Sequence, residues 1–74
     1  MIKFDRLWTT MKNKKISTYR LREVYGIENE TIRRMKANRN TTTNTLNNLC
    51  RILNCSLSEI AEYVPDKNDK NEED

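Results

Sequence analysis

Ser17-Thr18-Tyr19-Arg20-Leu21-Arg22-Glu23-Val24-Tyr25-Gly26-Ile27-Glu28-Asn29-Glu30-Thr31-Ile32-Arg33-Arg34-Met35-Lys36-Ala37 contains the only glycine in a chain of 74 residues. On either side of Gly26 lies a helical stretch, residues 17–25 and 28–37. Leu21, Val24 and Tyr25 supply the apolar side of the first, and Ile32 with Met35 gives the second a narrow one. A lone glycine between them marks a backbone position with positive φ, which a residue carrying a Cβ occupies only at a cost. Ser17 is placed to cap the first helix by accepting from an otherwise orphan amide. Ile27 is expected to plug the turn. The stretch therefore reads as two short helices joined across a tight turn.

Apart from Ile32 and Met35, the second of these helices is polar: Glu28, Asn29, Glu30, Thr31, Arg33, Arg34 and Lys36. A helix with so thin an apolar stripe gains little from burial and leaves a wide face to solvent or to a partner.

Upstream, Phe4, Leu7, Trp8 and Met11 recur at i, i+3, i+4 and i+7, with Asp5, Arg6, Thr9, Thr10 and Lys12 on the opposite face. This predicts a first helix with its aromatic pair in the core. The alternation of Ile2, Lys3 and Phe4 leaves a short N-terminal strand as an alternative for those residues. Asn13, Lys14 and Lys15 form a polar break before Ser17, and residues 38–41 form a second one. Thr42 can cap a fourth helix whose inward set is Leu46, Leu49, Cys50 and Leu53. Ser56-Leu57-Ser58-Glu59 is a capping box that predicts a fifth helix, with Leu57, Ile60 and Tyr63 packing inward. Pro65 cannot continue it, and the Asp-Lys-Asn-rich run that follows has too little apolar surface to offset ordering entropy. The expected fold is all-α: a compact bundle of about five short helices over residues 1–64, followed by an acidic disordered tail over 65–74.

Size narrows the functional classes. A single domain this short hides only about 60% of the surface that its unfolded chain exposes. Ligand pockets typically need roughly 300 Å³ or more. Cofactor cavities and multi-residue catalytic clefts are hard to build in such a core, so no enzyme, no cofactor and no small-molecule ligand is expected. Charge is distributed unevenly. Of the 14 Lys/Arg and 11 Asp/Glu, the last ten residues hold two lysines and five acids, which leaves the body at +6 and the tail at −3. A basic body invites polyanions. Cys50 and Cys55 read as reduced apolar thiols, since the cysteine spacing of a stapled secreted domain is missing. With no histidine and two cysteines the chain lacks the four ligands usual for zinc, so no metal is expected. No apolar run approaches the roughly 18 residues of a membrane span, and the first eleven residues are too interrupted by charge for a signal peptide. A cytoplasmic protein without membrane contact is expected.

Leu21, Gly26, Ile27, Ile32 and Met35 keep the spacing of the helix-turn-helix in the Cro and phage-repressor (XRE) family. Phe4-Asp5-Arg6-Leu7-Trp8, the segment from Thr43 through Leu46, Leu49, Cys50 and Leu53 to Cys55, and the ending Glu62-Tyr63-Val64-Pro65-Asp66 are similar to that family's small single-domain members. The resemblance covers residues 4–66. It implies the lambda-repressor-like DNA-binding fold, with the helix over 28–37 lying in the major groove of double-stranded DNA. Asn29, Glu30, Arg33 and Arg34 occupy the positions that face the groove in that family. Their chemistry suits base edges: Asn29 can pair bidentately with adenine, Glu30 can accept from the cytosine amino group, and either arginine can fork onto guanine. The plainer alternative is a solvated helix face. Candidates for phosphate contact flank the groove: Ser17, Thr18 and Tyr19 at the start of one helix, and Asn38, Arg39 and Asn40 after the other, with Lys14 and Lys15 less directly placed. Ser17 can serve as a cap and as a phosphate donor together.

Two positions depart from the family pattern. Arg22 stands where a small residue normally lets the two helices approach; either its stem lies along apolar surface or the helices sit further apart. Glu28 stands where a short capping side chain usually begins the recognition helix. The expected function is a sequence-specific transcriptional regulator, a repressor of its own or a neighbouring promoter, acting on the nucleoid of a bacterium or phage-infected cell. One helix-turn-helix reads few base pairs, so a homodimer on a palindrome is expected, joined through the fifth helix with Tyr63 and Val64 or through residues 2–4. The alternatives are a protein-interaction module, such as an antitoxin or adaptor on the same fold, and a nucleic-acid binder without base selectivity.

Overall fold

A computed structural model describes residues 1–66, so all but Pro65 and Asp66 of the predicted tail lies outside the described residues. Strand β1 covers Ile2–Lys3. It is followed by α1 (Asp5–Asn13), α2 (Thr18–Glu23), α3 (Asn29–Lys36) and α4 (Thr43–Leu53), then a single 3-10 turn over Leu57–Glu59 and strand β2 (Glu62–Tyr63). The strands pair antiparallel, Ile2 opposite Tyr63 and Lys3 opposite Glu62.

The predicted all-α bundle of about five helices is therefore corrected to four α-helices, one 3-10 turn and a two-stranded ribbon. The capping box is real: the Glu59 carboxylate accepts from the Ser56 backbone N–H at 3.2 Å. What it starts is only one turn, because the amides of Ile60 and Ala61 both return to the Leu57 carbonyl, at 2.9 and 3.1 Å. Beyond it, the N-terminal segment offers the chain a different set of backbone partners, and the Val64 N–H donates to the Met1 carbonyl at 2.8 Å. Inter-strand bonds replace the helical ladder, and the segment straightens. Ile60 is consequently buried while Leu57 and Tyr63, expected inward, stand exposed.

The core gathers Phe4, Leu7 and Met11, Leu21 of α2, Ile32 and Met35 of α3, Leu49 and Leu53 of α4, and Ile60. Trp8, Leu46 and Cys50 pack against its edge, half-buried. Thr10, placed on the solvent face by periodicity, is buried. Its hydroxyl donates to the Glu59 carbonyl at 2.6 Å, so the 3-10 turn docks on α1 through a polar contact that hydropathy does not register.

The turn between α2 and α3 is built around Gly26, at φ +75°. α2 ends two residues earlier than its apolar pattern predicts. Val24 and Tyr25 both donate to the Arg20 carbonyl, at 2.9 and 3.2 Å, and Ile27 reaches back to the Leu21 carbonyl at 2.9 Å. The helix tightens and unwinds, so Val24 and Tyr25 are exposed instead of forming its apolar side. Ile27 takes the inward place and packs on the core. Ser17 and Thr42 cap α2 and α4 as expected, accepting from the amides of Arg20 and Thr45 at 3.2 and 3.1 Å.

Candidate nucleic-acid interface

At about 100° per residue, Ile32 and Met35 define the inner edge of α3, and both are buried. Asn29, Glu30, Arg33 and Arg34 span an arc of about 140° centred opposite that edge. All four are exposed. Extended backbone at Glu28 (φ −69°, ψ 144°) starts the helix with no side-chain cap. The first amides of α3 are left open on that account, and Asn29 and Glu30 sit beside them.

Within this face the charges are paired. Glu30 Oε1 lies 3.0 Å from Arg33 Nη2 and its Oε2 lies 3.5 Å from Arg34 Nε. Arg33 and Arg34 remain 68% and 56% exposed in their side chains, so both guanidiniums are held and still open to a partner.

The flanking candidates divide. Arg39 and Asn40 are exposed after α3 and share a cleft of about 350 Å³ with Arg34, which brings the loop next to the exposed face of α3. Asn38 turns the other way: in a left-handed conformation (φ 56°), its Oδ1 accepts from the Phe4 backbone N–H at 2.8 Å. Its carboxamide is thus partly committed to the fold. Before α2, Ser17 is exposed with its Oγ engaged as the cap, and Thr18 is half-buried. Tyr19 is exposed, with the Arg22 guanidinium 5.9 Å from its ring centroid. Arg22 is itself half-buried. Its guanidinium thus lies over the ring of Tyr19, one turn earlier on the same helix.

Sequence reasoning gave too little weight to one further cluster. Lys12 and Lys15 border a shallow groove of about 430 Å³ floored by Trp8, Met11 and Ile16 and closed by Ser17 and Thr18. Lys36 stands 5.9 Å from the centroid of the Trp8 ring. The signal was the polar break of residues 13–15 directly ahead of the Ser17 cap. Lys14, in contrast, reaches back toward the Asn54 carbonyl at 3.5 Å and does not border the groove.

Cys50 and Cys55 are free thiols, both half-buried. Burial pushes the Cys55 thiol above its ordinary value, Cys50 and Glu59 add to the shift, and Lys14 opposes it. A thiol held neutral is a packing group more than a nucleophile. Among the described residues no group of three or more His, Cys, Asp or Glu is arranged to hold a metal ion, and no helix is long and apolar enough to cross a membrane.

Comparison with known proteins agrees with this geometry. The family model of the Cro/C1-type helix-turn-helix DNA-binding domain matches residues 6–66. The crystal structure of the transcriptional regulator VanUg (Form II) superposes with a TM-score of 0.79 at 26% sequence identity, covering 88% of this chain and 87% of that one. No curated protein sequence matches the chain significantly.

Proposed function

Because the chain belongs to the Cro/C1-type helix-turn-helix DNA-binding domain family, we propose that this DNA-binding protein is a sequence-specific transcriptional repressor that reads the major groove of double-stranded DNA with α3. The observation that carries the proposal is the division of α3: two buried apolar anchors on one side, and on the other an exposed arc of Asn29, Glu30, Arg33 and Arg34. A helix fastened by one edge can enter a groove about 12 Å wide without disturbing the core. The arginines supply forks for guanine and Asn29 a bidentate partner for adenine. In this reading Arg39 and Asn40, which adjoin Arg34, together with Ser17, Thr18 and Tyr19 at the start of α2, meet the sugar-phosphate rails, with Asn38 able to offer only its amide nitrogen.

Residues 1–64 form the binding unit in this proposal, acting in the cytoplasm as a homodimer on a palindrome whose half-sites lie about one helical turn apart. The exposed Ile2 and Tyr63, directly opposite each other on the ribbon, are the surface we assign to the second copy. The role is binding, not catalysis.

Selection of bound sites from a random DNA pool, followed by titration of Arg34→Ala and Arg39→Ala on the selected site, tests the proposal. Loss of Arg34 should relax discrimination at one base pair by about 1–3 kcal/mol, whereas loss of Arg39 should weaken all sequences alike. Two equal, sequence-blind losses would refute the groove assignment. A chain with no useful affinity for any duplex would instead point to the protein-interaction module.

A further inference from the structure

We propose that Glu30 is a positioning residue that sets the selectivity of the interface: by occupying Arg33 and Arg34 together, it keeps both guanidiniums from random phosphates while presenting them to base edges. This rests on the groove reading above and deepens it. The two carboxylate oxygens are used separately, one on each arginine. Arg34 is held through Nε, which leaves its two terminal nitrogens free as a fork. That fork is the end which pairs with guanine O6 and N7. Arg33 is held through one terminal nitrogen and keeps its remaining donors.

The pairs are too exposed to serve chiefly as a stabilising device. An exposed ion pair shifts a folding equilibrium by about two- to fivefold at best. Their location gives them another use. Lone arginines on a basic surface capture any phosphate they reach, and each such capture adds about 0.9 to the salt slope of binding. With Glu30 between them, a random duplex must break both pairs and approach a carboxylate to gain the same contact. A matching base step gains its hydrogen bonds with the pairs intact. Glu30 therefore weakens general affinity more than specific affinity.

The test compares Glu30→Gln with the unsubstituted full chain on a site selected from a random pool and on a scrambled duplex of equal length, over a range of salt. The scrambled duplex should gain about three- to tenfold in affinity, with a salt slope steeper by about one, while the selected site gains less. Glu30→Asp keeps the charge near the start of α3 but is one methylene too short to span both arginines, and it should lose selectivity as well. In an Arg33→Ala/Arg34→Ala background, Glu30→Gln should shift both duplexes equally. Circular dichroism melts of each variant confirm that a folded chain is being compared. Equal gains on both duplexes with the arginines present would reduce Glu30 to bulk charge and overturn the proposal. So would a loss of discrimination confined to one base pair, which would make Glu30 a direct reader of that base. If the unsubstituted chain itself prefers no sequence, the function proposed above fails first; if it is selective and only the Glu30 outcomes fail, the role of Glu30 alone is lost.

Discussion

Asn38 does two things at once, and replacing it separates them. It adopts a left-handed backbone at φ 56°, and its Oδ1 accepts from the part-buried Phe4 N–H at 2.8 Å, across 34 residues of sequence. In Asn38→Ala, Phe4 keeps its donor but loses the acceptor, which costs about 1–3 kcal/mol when a buried donor is left unpaired. Asparagine already carries a Cβ there, but its short polar side chain tolerates the left-handed region better than alanine does, which adds up to about 1 kcal/mol. The total is about 1–4 kcal/mol, and for a domain of this size each kcal/mol lowers Tm by about 4–8 °C. Asn38→Ala should therefore melt on the order of 5–30 °C lower. Asn38→Gly removes the same hydrogen bond but fits the backbone, so it should be the more stable of the two by about 1 kcal/mol. Asn38→Asp keeps an acceptor for Phe4 and should melt close to the unsubstituted chain, yet it replaces an amide donor by a carboxylate beside the phosphates and should weaken binding to every duplex. Thermal denaturation followed by circular dichroism, with duplex titration of the aspartate variant, measures all of this. If alanine and glycine melt together within about 2 °C of the unsubstituted protein, neither the left-handed turn nor the Phe4 bond matters as argued.

Three further outcomes follow from single contacts. Nothing lies within 4 Å of a Cβ built on Gly26, so Gly26→Ala should destabilise by about 1–2 kcal/mol through φ alone, with Gly26→Val losing more; an unchanged melting point would mean that the turn relaxes to another geometry. Thr10→Val removes the 2.6 Å bond to the Glu59 carbonyl at nearly constant volume and should cost about 1–3 kcal/mol in a urea titration, whereas Thr10→Ser should retain most of the bond. Burial raises the pKa of the Cys55 thiol in the folded chain, so its alkylation by iodoacetamide should half-saturate at a higher pH than in the urea-unfolded chain. The stability this contributes is fully present below the unfolded thiol's titration and is lost as pH rises through the folded one; equal profiles in the two states would remove the basis for that dependence.

Most of the scaffold was legible because helical spacing selects the side chains that share a face. Leu7, Met11, Leu49 and Leu53 fall at i, i+4 intervals and are buried as that spacing requires. The exposed arc of α3 was readable for the complementary reason: with only Ile32 and Met35 apolar, its outward residues had no core to enter. Errors arose where a local signal competed with a distant partner. The Ser56–Glu59 box is a valid start signal, but a start signal sets no length, and pairing with residues 2–3 ended the helix after one turn. Val24 and Tyr25 continue the apolar pattern of Leu21, which places them inward, yet the bonds that close the turn at Gly26 rotate them out and bring Ile27 in. Thr10 and Asn38 were missed as structural residues since each satisfies a backbone group more than 30 positions away, Glu59 and Phe4 respectively. Hydropathy carries no record of such pairings.

The bond from Phe4 to Asn38 also bears on how α3 is held. α3 is short, its N-terminus lacks a side-chain cap, and two apolar side chains anchor it. A helix so lightly fastened would fray at its ends unless the chain beyond it were fixed. Its beginning is fixed by the Gly26 turn, where Ile27 packs on the core and bonds back to Leu21. Its end is fixed by Asn38, which ties the residue after the α3 C-cap to the strand-to-helix junction at Phe4. That junction is itself held by the ribbon, through Ile2 and Lys3 against Tyr63 and Glu62. The exposed face of α3 is thus oriented by contacts made entirely outside it. Asn29, Glu30, Arg33 and Arg34 contribute no side chain to the core, so under the proposed function substitutions among them could change what is read without touching the residues that hold α3 in place.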